Sequence, residues 1–185
     1  MSDIRYATFE TAMGTCGLAW GDAGIVGSWL HGRTAERTRA QILRRHPGAT
    51  EGVPPDAIHR VIDGIADLLA GGRDDLRHAV LDMRDTPDFA RRVYQTARTI
   101  PPGETMTYGA IAQTMGEEPM RARDVGEALG RNPFAPIVPC HRVVAAGGRL
   151  GGYSAPGGAA TKRRLLEIEG AAIVTAPVQP GLFDA

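Results

Sequence analysis

Proline and glycine cut residues 86–130 into three short helical segments, and this punctuation constrains the fold more than any other feature of the chain. Thr86 can cap a helix with Pro87 at its first position. Phe89, Val93, Ala97 and Ile100 then form an apolar stripe, which Pro101-Pro102-Gly103 stops. A second helix runs from near Thr107 to about Met115, with Ile111 and Met115 four residues apart. After the short turn Gly116-Glu117-Glu118, Pro119 opens a third helix. Its inner face is Ala122, Val125 and Leu129, and Gly130 follows it. Helix, tight turn, helix is a helix-turn-helix pattern, although many αα-hairpins share it without touching DNA. Its outward face carries Arg121, Arg123 and Arg131, which suits a helix lying against phosphates.

The first half is organised differently. Residues 13–30 read as a β-hairpin: Cys16, Leu18 and Trp20 alternate on one face, Thr15, Gly17 and Ala19 on the other. Gly21-Asp22-Ala23-Gly24 turns the chain into a second apolar run, Ile25 to Leu30. Cys16 therefore reads as a core residue. Thr34 can cap a helix to about Arg45, ended by Pro47-Gly48. Pro54-Pro55 opens another, with Ile58, Val61, Ile62, Ile65 and Leu69 at helical spacing and Gly71-Gly72 at its end. A short apolar segment spans Ala79 to Met83, and a last helix runs from about Ala160 to Ile168. The expected class is α+β, with an N-terminal unit over 1–85, a second over 86–170 and a loose tail over 171–185.

Net charge is zero, so the field of the whole molecule draws in no polyanion. Its distribution is uneven: eight Lys or Arg face two acids between Arg121 and Arg164. A basic segment on an acidic remainder is consistent with a local nucleic-acid surface, and also with a merely solvated face. No secretory signal and no apolar run of membrane-spanning length is visible, so no membrane partner is expected. Two cysteines without an export signal fit a reducing cytoplasm. The histidines and Cys16 of the first half lack zinc-ligand spacing, so no metal and no cofactor is expected.

The chemistry concentrates in Pro139-Cys140-His141-Arg142-Val143. A thiol beside an imidazole and near a guanidinium is expected to favour the reactive thiolate. A buried cysteine acting as a small apolar side chain is the plainer alternative. The glycines of Gly147-Gly148, Gly151-Gly152-Tyr153-Ser154 and Pro156-Gly157-Gly158 would let backbone approach a ligand closely.

Tyr108, Arg123-Asp124-Val125-Gly126, Arg131-Asn132-Pro133, Pro139-Cys140-His141-Arg142-Val143, Gly152-Tyr153-Ser154 and Glu169-Gly170 together resemble one family. It is the methylated-DNA–protein-cysteine methyltransferases, or O6-alkylguanine-DNA alkyltransferases. The resemblance covers about residues 86–170 and is loose before that. It implies a ribonuclease H-like N-terminal domain followed by a helix-turn-helix, winged-helix-like domain that holds the thiol. It implies direct-reversal repair of double-stranded DNA: the alkyl group on O6 of guanine, or O4 of thymine, moves irreversibly to Cys140, once per molecule. The target lies inside a stacked duplex, so the base must be flipped out.

The resemblance also implies roles. Cys140 would be the nucleophile, His141 its base through a bridging water, and Glu169 the carboxylate that orients the imidazole. Asn132 would tie the turn to the active site, and Tyr108 would donate to the guanine ring nitrogen. Arg123 would occupy the vacated stack, beside a DNA-binding set of Arg121, Arg131, Ala122 and Gly126. Pro139, Val143, Tyr153 and Ser154 would form the base pocket.

The chain departs from the family in two places. Pro87-Asp88-Phe89 separates proline and phenylalanine by one extra residue, and Ala155-Pro156 lengthens the segment toward Glu169. Three other readings compete. A non-catalytic alkyltransferase-like damage sensor would replace the cysteine, a helix-turn-helix regulator would leave the Cys140 motif unexplained, and a Cys-His hydrolase usually has its histidine distant in sequence. The tail carries Gln179, Leu182 and Phe183, spaced like short peptides that dock into bacterial sliding clamps. A monomer is expected.

Overall fold

The computed structural model describes residues 3–31 and 34–172; Gln179, Leu182 and Phe183 lie outside the described residues. The chain is α+β. Three antiparallel strands, β1 (Arg5–Thr11), β2 (Gly14–Gly21) and β3 (Gly24–Trp29), are joined by a short β4 (Thr50–Glu51) parallel to β1, in the order β3-β2-β1-β4. The hairpin read from sequence is β2–β3, and the alternation of Cys16, Leu18 and Trp20 sends those three into the larger core. Strand β1 was not anticipated. It pairs with β2 along its length, Ala7 opposite Leu18 and Phe9 opposite Cys16.

Helix α1 (Ala35–Arg45) covers one face of this sheet and α2 (Asp56–Leu69) the other. Thr34 caps α1, its side chain accepting from the Arg37 amide at 3.3 Å. Ile42 packs with Tyr6 and Ala19, while Val61, Ile65, Leu68 and Leu69 of α2 join the core on the opposite side. Cys16 is buried there, and burial pushes its thiol up to about 11, so it is an inert core residue.

Helix α3 (Asp88–Ala97) buries Val93, Tyr94 and Ala97. It begins one residue later than expected. Pro87 is extended and its carbonyl accepts from the Arg91 amide at 2.9 Å, so Pro87 is the cap and Thr86 lies outside. Helix α4 (Tyr108–Thr114) is capped by Thr107, whose hydroxyl accepts from the Ala110 amide at 3.1 Å. Proline at 119 opens a 3₁₀ turn, Pro119–Arg121, rather than the helix itself; α5 (Ala122–Gly130) follows and buries Val125, Ala128 and Leu129. The Tyr94 hydroxyl donates to the Ala128 carbonyl at 3.0 Å and fixes α5 on α3.

Two links attach this unit to the rest. The Ser28 amide and hydroxyl of β3 donate to the Pro133 and Ala135 carbonyls, both at 2.8 Å. Two short parallel strands, β5 (Met106–Thr107) and β6 (Val143–Val144), pair Met106 with Val143. The second link brings Tyr108, at the start of α4, beside the segment that follows Cys140. Helix α6 (Gly158–Ile168) closes the fold. Among the described residues no helix is long and apolar enough to cross a membrane, and no group of His, Cys, Asp or Glu could hold a metal ion.

Candidate active site

Cys140 begins a 3₁₀ turn, Cys140–Arg142. Three residues per turn send successive side chains about 120° apart. The thiol therefore faces the cavities, while His141 and Arg142 turn into the protein. Behind the thiol lies a buried cluster: His141 is 0%, Arg142 1% and Glu169 3% exposed. His141 Nε2 lies 2.8 Å from Glu169 Oε1. Arg142 grips the same carboxylate, Nη2 donating to Oε1 at 2.9 Å and Nε to Oε2 at 3.0 Å, while its Nη1 donates to the Ile100 carbonyl at 2.7 Å. The Gly103 amide adds a contact to Oε2 at 3.3 Å. Gly103 has φ 90°, which glycine adopts freely, and a Cβ there would stand 3.0 Å from the Glu169 carbonyl.

Glu169 caps the C-terminal end of α6, where a helix disfavours an anion. Burial alone would raise its carboxyl further. The hydrogen bond from His141 and the hydrogen bonds and charge of Arg142 overcome both effects and hold it at about 2. Burial pushes the His141 imidazole down despite its carboxylate partner, so the ring is neutral at rest. Its Nδ1 is buried and meets no partner among the described residues.

This arrangement corrects one expectation. Arg142 is spent on Glu169 and does not lower the thiol. Burial is the largest influence on Cys140 and pushes its thiol up, against the Asn132 amide and the Lys162 charge, which favour the thiolate. The resting thiol is protonated, and its activation has to come from a proton acceptor. Asn132 Nδ2 donates to the Val138 carbonyl at 2.9 Å and contacts Cys140 Sγ at 3.4 Å, while its Oδ1 accepts from the Phe134 amide at 2.9 Å. One side chain thereby ties the end of α5 to the thiol.

The thiol opens into a cavity of about 410 Å³ walled by Tyr108, Ala122, Arg123, Gly126, Tyr153 and Ser154. The Tyr153 hydroxyl is buried against Cys140, where its interaction with the thiol favours the thiolate. Burial and the nearby Cys140 raise both tyrosines, Tyr153 strongly, so both are donors at neutral pH. Arg123 is exposed and forms no ion pair among the described residues. Arg121 stands differently from the outward reading: it pairs with Asp124 at 2.8 Å and Glu117 at 2.9 Å and lies 4.4 Å over the Phe89 ring. Arg131 is exposed and pairs with Glu127 at 2.6 Å.

Sequence reasoning missed Lys162. It is 0% exposed, and its Nζ donates to the Val143 carbonyl at 2.6 Å, with the Tyr108 hydroxyl and Gly152 carbonyl each 3.4 Å away. Burial lowers it to about 8. A signal existed: residues 162, 165 and 166 fall on one helical face, so a lysine shares the side of Leu165 and Leu166 that enters the core.

Comparison with known proteins bears on this geometry. Residues 88–171 match the family described as 6-O-methylguanine DNA methyltransferase, DNA binding domain. The methylated-DNA–protein-cysteine methyltransferase of Mycobacterium tuberculosis is 39% identical over 182 residues, 98% of this chain and 99% of that protein. The protein of the same name from Methanothermobacter thermautotrophicus is 35% identical over 157 residues, covering 85% and 80%. A crystal structure of Mycobacterium tuberculosis OGT in complex with DNA superposes with a TM-score of 0.69 at 36% identity, over 90% of this chain and 92% of that one.

Proposed function

This chain belongs to the methylated-DNA–protein-cysteine methyltransferase family, and from that premise we propose that it repairs alkylated DNA by direct reversal, with Cys140 as the acceptor. The observation that carries the reading is the position of the thiol. It lies at the meeting point of a helix-walled cavity and a buried His141–Glu169 pair.

In the proposed reaction the flipped O6-alkylguanine fills the cavity. The thiol proton passes through a water to His141, whose buried Nδ1 is free to accept it and whose imidazolium Glu169 stabilises. The sulfur forms a bond to the alkyl carbon as the carbon–O6 bond breaks, and the electron pair departs on guanine. Tyr108 donates to the guanine ring nitrogen. The Cys140 and Val143 carbonyls and the Ser154 amide read the base, and Lys162 fixes the Val143 carbonyl in place. Arg123, the exposed cation on α5, fills the emptied stack, and Ala122 and Gly126 let that helix approach the backbone. Arg121, held by Asp124 and Glu117, and Arg131, paired with Glu127, would exchange those exposed partners for phosphates at the rim.

The strand order β3-β2-β1-β4 supports a ribonuclease H-like N-terminal domain over 1–85, and the α4–α5 pair a helix-turn-helix domain over 86–170. A reactive thiol used for transfer fits a reducing cytoplasm, and one chain carries the whole proposed site, so a monomer would suffice. The tail residues Gln179, Leu182 and Phe183 would tether repair to a sliding clamp, and deleting residues 179–185 should weaken clamp binding.

Intact-mass analysis after incubation with an O6-methylguanine duplex tests the main reading. One methyl per chain, on the Cys140 peptide, is expected, with none on Cys140→Ser. A second methyl, continued turnover or transfer by Cys140→Ser would overturn it.

A further inference from the structure

Ala122, Arg123 and Gly126 wall the base cavity, so DNA presenting a flipped base has to pass over the start of α5. The two arginines at that end are not equivalent. Arg123 is exposed and forms no ion pair among the described residues. Arg121 is restrained three times. Its Nη1 donates to Glu117 Oε2 at 2.9 Å, its Nε donates to Asp124 Oδ2 at 2.8 Å, and its guanidinium lies 4.4 Å over the Phe89 ring.

Glu117, in the turn between α4 and α5, is itself anchored. Arg92 of α3 donates from Nη1 to Glu117 Oε1 at 2.9 Å and from Nη2 to the Met115 carbonyl. Each oxygen of the carboxylate therefore has its own guanidinium, and Glu117 cannot follow Arg121 outward without leaving α3. Its side chain is 22% exposed, against 40% for Arg121. Glu118, the next residue, is exposed and forms no ion pair among the described residues.

Affinity for undamaged DNA comes from cations that neutralise phosphates. A cation held by a fixed acid contributes less, because its pair has to be broken and the acid then faces the incoming phosphate. Resting on the DNA-repair reading, we propose that Glu117 is a brake on DNA binding: fixed to α3 by Arg92, it holds Arg121 back and keeps the affinity for undamaged duplex low. Undamaged sites vastly outnumber any one target, so weak binding to them leaves more of a single-use protein free to find a lesion.

The test is fluorescence anisotropy with an unmodified duplex, alongside single-turnover transfer from free O6-methylguanine. Glu117→Gln should bind the duplex about threefold more tightly than wild type, the scale of one exposed ion pair. Its affinity should also fall more steeply with salt, by about one unit of log–log slope, as for one added phosphate contact. Glu118→Gln removes the same charge without releasing an arginine, and should change affinity by less than about 1.5-fold because that charge is screened. Against an Arg121→Ala background, Glu117→Gln should bring no gain. Free-base transfer should keep its wild-type rate in Glu117→Gln, which shows the thiol site intact. Equal gains from Glu117→Gln and Glu118→Gln, or a gain that survives Arg121→Ala, would reduce Glu117 to a bulk charge and overturn the brake. Weaker duplex binding by Glu117→Gln would make the residue a brace of the turn and overturn it as well. A wild type that binds no duplex at all would refute the DNA-repair reading itself, a separate result.

Discussion

Glu169→Gln removes one charge from the buried cluster while keeping its size. Wild-type Glu169 is held at about 2, against an ordinary carboxyl value of 4.5. That difference corresponds to about 3 kcal/mol of folding stability at neutral pH. A second route gives a similar figure: the variant leaves Arg142, 1% exposed, without its anion, and breaking a buried pair from one side costs about 3–5 kcal/mol. The sign with pH follows from the depressed value. The contribution is complete above the unfolded carboxyl value, near 4.5, and is lost as pH falls toward 2. Glu169 is itself one of the groups that raise His141, so the imidazole falls further in Glu169→Gln and its slope does not cancel; the comparison at pH 7 avoids this, because burial keeps the ring neutral in both proteins. Urea denaturation at a series of pH values reads all of this. Wild type should exceed Glu169→Gln by about 3 kcal/mol at pH 7, and the gap should narrow steadily below pH 4.5. A gap below ~1 kcal/mol at pH 7, the scale of an exposed pair, or one that does not change between pH 5 and 2.5, would refute the reasoning.

Other outcomes follow from single contacts. Asn132→Ala strips donors from the Val138 carbonyl and Cys140 Sγ and the acceptor from the Phe134 amide, and should destabilise by about 1–3 kcal/mol and slow methyl transfer in a single-turnover assay. Arg123→Ala should slow transfer from duplex DNA and leave the rate on free O6-methylguanine within about twofold, since exposed arginines contribute little to stability; equal loss on both substrates would refute its role in the stack. Lys162→Met should cut transfer about tenfold by unpinning the Val143 carbonyl. In wild type the charged lysine is lost as pH rises through about 8, so an alkaline decline in rate should be present and should vanish in Lys162→Met.

What the sequence disclosed was what is periodic or local. Helical spacing located α2 and α5, and Thr34 and Thr107 marked the starts of α1 and α4 because a cap needs only its own following turn. Strand β1 carries few sequence signals beyond Tyr6 and the β-branched Thr8 and Thr11 within it, because its pairing with β2 is a tertiary fact. At the site, Cys140 and His141 were legible through a contiguous motif, and Asn132 only through the family resemblance. The purpose of Arg142 was not: a guanidinium two residues from a thiol suggests activation, yet the 3₁₀ turn points it at Glu169, 27 residues away. Lys162 was hidden among the basic residues of its helix, and only the phase of Leu165 and Leu166 gives it away.

The same turn explains why the thiol is quiet before it meets DNA. A permanently ionised cysteine would react with any soft electrophile and be spent without repairing anything. Here burial keeps Cys140 protonated, while the groups that could ionise it are held one step off: His141 neutral, with its open nitrogen, and Lys162 engaged on the Val143 carbonyl. Both depend on the loop from Asn132 to Val143, which is anchored on one side by Ser28 of the sheet and on the other by β5 and the start of α4. The N-terminal sheet is therefore part of the site's frame. Ser28→Ala, which removes the 2.8 Å bond to the Ala135 carbonyl, should cost about 1 kcal/mol of stability and slow transfer from free O6-methylguanine and from duplex alike. Loss confined to the duplex would mean that Ser28 acts through DNA binding, and would refute a role in holding the thiol loop.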